Sequence, residues 1–159
     1  AALPRLRTLL GDSDSAVRYW AALGFLMRGQ PGVAAGQPAL RNALADSSPY
    51  VRIVAAEALI RHGPESDLPA SLAVLSELAP VEKHGVFVSM AALSAIEAIG
   101  PKGAPVHEVV RTMKPSGPSP DNRFDSYVPR LIENIAPNAT KSGETAPAKT
   151  RGKRKAAAK

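Results

Sequence analysis

Apolar positions recur at helical spacing in two stretches that nearly repeat one another. Val17, Trp20, Ala21, Gly24 and Met27 follow at i, i+3, i+4, i+7 and i+10. Val51, Val54, Ala55, Ala58 and Ile60/Arg61 give the equivalent set, with the last step fading. A period near 3.6 places each set on one face of a helix, and the small residues at Ala21/Ala55 and Gly24/Ala58 let neighbouring helices approach closely. The flanking residues match as well: the run from Asp14 to Gly29 aligns with the run from Ser48 to Gly63 at a constant offset of 34. A weaker third copy, Val88-Ser89-Met90-Ala91-Ala92-Leu93, closes at Gly100 and lies 37 residues beyond the second. Repetition at such a period predicts an all-α stacked-repeat solenoid, in which no unit buries its apolar face without neighbours.

Capping residues divide each repeat into two helices. In the first, Pro4 to Leu10 is helix A, Gly11-Asp12-Ser13 turns the chain, and helix B runs from an Asp14 N-cap to Arg28. Gly29 suits a left-handed C′ position, and Pro31 would stop the helix. The second unit reads Pro38 to Ala45, a turn at Asp46-Ser47, Ser48 as N-cap, Pro49 at N1, and helix to His62 before Gly63-Pro64. The third uses Leu68 to Leu78 and Val86 to Ile99, then Gly100-Pro101. A degenerate fourth has Ala104 to Met113 and Tyr127 to Ile135, separated by an irregular, proline-rich loop. The expected organisation is about three and a half to four helical hairpins over 1–136 (1–30, 31–64, 65–101 and 102–136), followed by a tail over 137–159. Val17, Trp20, Ala21, Gly24, Val51, Ala55 and Ala58 are the expected core. A rival placement puts Trp20, the only tryptophan, on a binding groove. Leu3, Leu6 and Leu10 are expected to form part of an exposed apolar edge.

Charge changes the picture only once it is located. The chain carries a formal +6, but residues 137–159 alone hold seven Lys/Arg and one Glu, leaving 1–136 neutral. That tail has no large apolar side chain, so burial cannot offset its chain entropy, and disorder is expected there. Lys149, Arg151, Lys153, Arg154 and Lys155 make it a candidate for weak polyanion contact by counterion release. No apolar run is long enough for a transmembrane span. Opening on Ala1, with no charged n-region and apolar h-region, the chain reads as a fragment or processed piece. Cysteine is absent, which excludes disulfides and thiolate chemistry.

The copies share an acidic turn, Val-Arg near the start of helix B, paired alanines and a closing glycine. That pattern resembles the HEAT family in its short bacterial form. A tetratricopeptide assignment, suggested by Trp20-Ala-Ala-Leu23-Gly24, fails in the second copy, which has Val54, Glu57 and Ala58 there. The resemblance implies a ladder between adjacent units, in which Asp12 and Asp46 pair with Arg18 and Arg52. Ser89 replaces the arginine in the third copy, so the ladder should stop there. Longer wording, Ser15 to Gly24, Asp46 to Leu59 and Tyr127 to Glu133, is similar to the C-terminal HEAT-like extension of bacterial, planctomycete-type sulfatases. That implies a secreted or periplasmic parent hydrolysing sulfate esters with calcium and formylglycine, and a preceding catalytic domain or another protein as partner.

No catalytic pattern is present in the chain itself. The sulfatase C/S-x-P-x-R motif is missing, since Ser116-Gly-Pro118-Ser119-Pro120 ends in proline. Neither G-x-S-x-G, H-E-x-x-H, a Walker loop nor an EF-hand loop occurs. His62, His84 and His107 fall in three different repeats, whereas zinc needs converging ligands. No catalytic, cofactor or metal site is therefore expected. Three roles remain: a non-catalytic domain appended to a sulfatase, a free-standing protein-binding scaffold, and a nucleic-acid-associated protein using its tail. The neutral body disfavours the last, because duplex binding needs a stripe of Lys/Arg.

Overall fold

The Asp14 carboxylate accepts the Ala16 N–H at 2.8 Å and starts a helix where the sequence signals one. A computed structural model describes residues 2–137, and within them it contains eight α-helices and no strand. They are α1 (Ala2–Leu9), α2 (Ser15–Leu26), α3 (Gly29–Ala43), α4 (Pro49–His62), α5 (Leu68–Leu78), α6 (Val81–Ala98), α7 (His107–Arg111) and α8 (Tyr127–Ile135). Each helix packs on the one before it from α1 to α6, and α8 on α7. The alternate helices α2, α4, α6 and α8 also touch in series, so α4 lies between α2 and α6.

The core divides along α4. Val51, Val54, Ala55 and Ala58 are buried with residues of α2 and α3, including Ala22, Phe25, Val33 and Leu40. Ile53, Ala56 and Ile60 are buried with α5, α6 and the C-terminal helices. One amphipathic pattern thus serves two neighbours. That is why α4 is buried on most of its circumference.

Several sequence expectations need correction. Trp20 is 66% exposed and Met27 77% exposed, so the α2 stripe is core only at Ala21, with Val17 and Gly24 half-buried. The reason is placement: the same face of α4 is covered by α2, whereas α2 has no described helix beyond it except α1. Leu3, Leu6 and Leu10 are half-buried against the N-terminal cluster, with Leu6 methyls lying over Gly24, so they are not the exposed edge. Gly29 does adopt a left-handed φ of 60°, but a new helix starts there. Pro31 falls in its first turn, where a missing N–H costs nothing. Val33, Gly36, Leu40 and Ala43 then continue an apolar stripe straight through Pro38. Gly63 is extended (φ −84°, ψ 175°), unlike Gly29. α6 starts five residues early but breaks at Gly85 (φ 75°), with its main run following Val86. The expected helix Ala104–Met113 is α-helical only in the short α7, and Ala104–Val106 are the end of a 3₁₀ stretch that starts at Gly100. Pro101, Gly103 and Pro105 explain that shortfall. The loop before α8 is pinned to α6, because the Val86 N–H donates to the Pro118 carbonyl at 3.1 Å.

Candidate interaction surface

The polar contacts between units start from Arg18. Its Nε and Nη2 donate to Oδ2 and Oδ1 of Asp46 at 2.7 and 2.8 Å, a bidentate pair whose side chains are 12% and 10% exposed. Its Nη1 donates to the carbonyls of Asp12 (2.9 Å) and Ser13 (3.0 Å). One guanidinium therefore binds the turn before α2 to the turn before α4. The hydrogen bond from Arg18, reinforced by the Ser48 N–H and by charge, holds the Asp46 carboxyl below its ordinary range. The same pair raises Arg18 above its ordinary value.

The expected pairing of Asp12 and Asp46 with Arg18 and Arg52 takes a different form at the other positions. Arg18 reaches Asp12 through its backbone carbonyl, and the Asp12 carboxylate accepts the Asp14 N–H at 2.9 Å. Arg52 donates to the Leu44 carbonyl at 3.0 Å and clasps Glu77 at 3.0 and 2.6 Å. The third unit has Ala79-Pro80 before α6, so the acid comes from the end of α5 instead. Hydrogen bonding to Arg52 lowers the Glu77 carboxyl below its ordinary range. Ser89, in the arginine's place, donates to the Ala79 carbonyl. At all three positions the side chain secures a carbonyl of its own unit's turn.

A third contact joins the second and third repeats. Asp67, 4% exposed, accepts from Gln37 Nε2 at 2.8 Å and Arg41 Nε at 2.6 Å, linking α3 to the turn before α5. Lys102 donates to the Ile60 carbonyl at 2.7 Å, satisfying a carbonyl in the last turn of α4. Asp67 lies outside the repeated turn register, and Lys102 is 42 residues from its acceptor, so no local pattern marks either.

Across the α2–α4–α6 row runs a hollow of about 340 Å³, lined by residues including Tyr19, Tyr50, Val54, Glu57, Ala91 and Ser94. It adjoins a second hollow of about 320 Å³ that shares both tyrosines. Tyr50, Val54 and Glu57 recur 37 residues on as Phe87, Ala91 and Ser94, so the hollow opens where repeat positions shrink from Val and Glu to Ala and Ser. Tyrosine presents a flat apolar body and a polar tip, which suits a wet protein surface. Glu57 is held by Arg61 at 2.8 Å. Trp20 stands beyond this row, edge-on to Tyr19 with ring centres 5.7 Å apart.

Among the described residues no His, Asp and Glu converge as a metal would require, and no helix is long and apolar enough to cross a membrane. Lys149, Arg151, Lys153, Arg154 and Lys155, expected to contact polyanions, lie outside the described residues. The chain matches no family model, no curated protein and no solved structure.

Proposed function

We propose that this chain is a non-catalytic, HEAT-like helical-repeat domain that serves as an interaction surface, and that it follows the catalytic domain of a sulfatase. The observation that carries the repeat reading is the bidentate Arg18–Asp46 bridge, joining turns 34 residues apart in sequence and in equivalent register. Serial contact of α2, α4, α6 and α8 supports stacked units rather than a closed bundle. The tyrosine-bordered hollow across that row supports a binding role, since stacked repeats commonly offer such extended surfaces.

The sulfatase assignment draws on the wording of Ser15 to Gly24, Asp46 to Leu59 and Tyr127 to Glu133. In this reading calcium and formylglycine belong to the catalytic domain, the parent is secreted or periplasmic, and this domain braces the enzyme or presents it to a partner. Reading the coding sequence ahead of Ala1 tests the assignment. A C/S-x-P-x-R motif several hundred codons upstream is the expected result. An upstream region lacking it would leave a free-standing protein-binding scaffold, and aryl sulfate turnover by the purified 159-residue chain would refute the non-catalytic role.

A further inference from the structure

The back face of α2 repeats one half of an interface already present inside the molecule. On α4, Val51, Val54, Ala55 and Ala58 are buried with the N-terminal helices, and Ile53, Ala56 and Ile60 with the C-terminal ones. Thirty-four residues earlier, Tyr19, Ala22 and Leu26 of α2 join the same cluster as α4. Phe25 and Leu23 belong to that cluster or pack on it as well, whereas Trp20 and Met27 take no part in it. α1 covers part of α2 on their side: Ala21 is buried, and a Cβ on Gly24 would lie 2.9 Å from a Leu6 methyl. Trp20 and Met27 stay 66% and 77% exposed on one side of α2. Val54, the equivalent of Trp20, is only 7% exposed.

A polar feature tells the same story independently. Asp12 is the repeat equivalent of Asp46. Both carboxylates accept the N–H two residues on, at 2.9 and 2.7 Å. Asp46 also receives Arg18 from the preceding unit, whereas among the described residues no cation lies within ion-pair distance of the Asp12 carboxylate. The Asp12 turn thus has the form of the Asp46 turn, and Arg18 acts on its carboxylate through space only.

We propose that the Asp12–Trp20–Met27 face of α2 docks a further helical hairpin of the same repeat class, supplied by polypeptide outside these 159 residues. The proposal rests on the stacked-unit reading and goes beyond it by specifying the partner's chemistry. α2 itself shows what the partner's second helix must carry: an arginine at i, to reach Asp12, with apolar residues at i+1, i+4 and i+8, as in Arg18, Tyr19, Ala22 and Leu26. The other end of the row is finished differently. α8 buries Val128 and Ile135 and exposes Arg130 and Asn134 together with Tyr127 (45%), an outer side more polar than that of α2. A second copy of this chain does not meet the requirement. In its α8, Arg130 is followed at i+1 and i+4 by half-buried Leu131 and polar Asn134, and its Arg18 is already committed to Asp46.

The repeat register makes a direct test possible. The full chain is compared with a version preceded in frame by an extra copy of residues 1–34, in which the copy carries Trp20→Val so that the native Trp20 is the sole tryptophan and is excited selectively at about 295 nm, the red edge of tyrosine absorption. Expected is strong acrylamide quenching of the full chain, and several-fold weaker quenching with blue-shifted emission in the extended one. Asp12→Asn, which keeps the acceptor for the Asp14 N–H but loses the charge, should lower the melting temperature of the extended protein more than that of the original. Unchanged quenching, or an added copy that stays unfolded on a folded body, would overturn the proposal. So would sedimentation showing that the original chain dimerises and that Trp20→Lys abolishes the dimer, since a second copy would then cover the stripe. Additive effects of Arg18 and Asp46 substitutions would instead remove the stacked-unit reading itself, which separates the two failures.

Discussion

Gly36→Ala should destabilise the protein by about 1–2 kcal/mol, although alanine is the better helix former. Gly36 is buried in α3 against the face of α2 that carries Phe25. A Cβ at Gly36 would sit 2.6, 2.7 and 2.9 Å from Phe25 Cε1, Cδ1 and Cζ, three atoms of one rigid ring that is 0% exposed. Carbon atoms rest at roughly 3.5–4.0 Å, so the ring or α3 must move by about 1 Å in a close-packed cluster. Overpacking of this kind costs about 1–3 kcal/mol, and three contacts below van der Waals range argue for its upper half. Helix propensity returns about 1 kcal/mol, which gives the net figure. Gly24→Ala is the control, because the close contacts of its Cβ would be the two Leu6 methyls, at 2.9 and 3.2 Å, on a half-buried side chain that can rotate, with Arg28 Nη1 at an ordinary 3.5 Å. There the propensity gain should offset the crowding to within about 0.5 kcal/mol. Urea unfolding with equal m values would measure both. Phe25→Leu in the Gly36→Ala background should cost less than the sum of the two single changes, since the smaller side chain relieves the clash. A stabilised Gly36→Ala, or a Gly24→Ala that is the worse of the pair, would refute the packing described for α2 and α3.

Three other outcomes follow from the same structure. Trp20→Ala should cost about 1 kcal/mol, because only about a third of a ring able to bury roughly 250 Å² is covered and alanine keeps part of that contact; Phe25→Ala should cost about 3–5 kcal/mol, and equal losses in a thermal unfolding comparison would return Trp20 to the core. Asp46 titrates below its ordinary 3.8 in the folded state, so its contribution is complete above that value and is lost as pH falls through the lower folded value; between about pH 5 and about pH 2 the melting temperature of Asp46→Asn should therefore fall less than that of the native protein, and parallel curves would contradict the pair's role. Glu77, lowered likewise but 57% exposed, should add less to that slope. Deleting 137–159 should sharply reduce retention on heparin at low salt and leave the circular dichroism spectrum of a helical protein; equal retention would move any polyanion site to the neutral body.

Asp14 caps α2 as its position suggests, and Leu68–Leu78 and Tyr127–Ile135 have the expected limits although neither starts with a side-chain cap bond, so their apolar spacing alone marks them. Boundaries failed where proline has two meanings. Pro31 resembles a stop in sequence but lies in the first turn of α3, and only the depth of Val33 and Gly36 in the core distinguishes these uses. Trp20 failed for another reason: periodicity identifies a face but not what covers it, and α1 alone of the described helices lies on that side of α2. The same limit applies to the surface. Arg18 and Asp46 were legible because they recur in register, while Asp67, Gln37 and Arg41 meet through an acid outside that register. The tyrosine hollow depends on Ala91 and Ser94 being small, a feature with no meaning until α6 lies beside α4.

The claim on which the functional reading rests is that consecutive units are coupled through Arg18 and Asp46, and a double-mutant cycle tests it most directly. Arg18→Met, Asp46→Asn and the double variant would be unfolded by urea under one set of conditions. Each single change leaves a part-buried charge without its partner, so both singles should be clearly less stable, and the double variant no worse than the weaker single. Two losses that simply add would mean that the guanidinium and the carboxylate do not act together, and the stacked-unit account would fall with them.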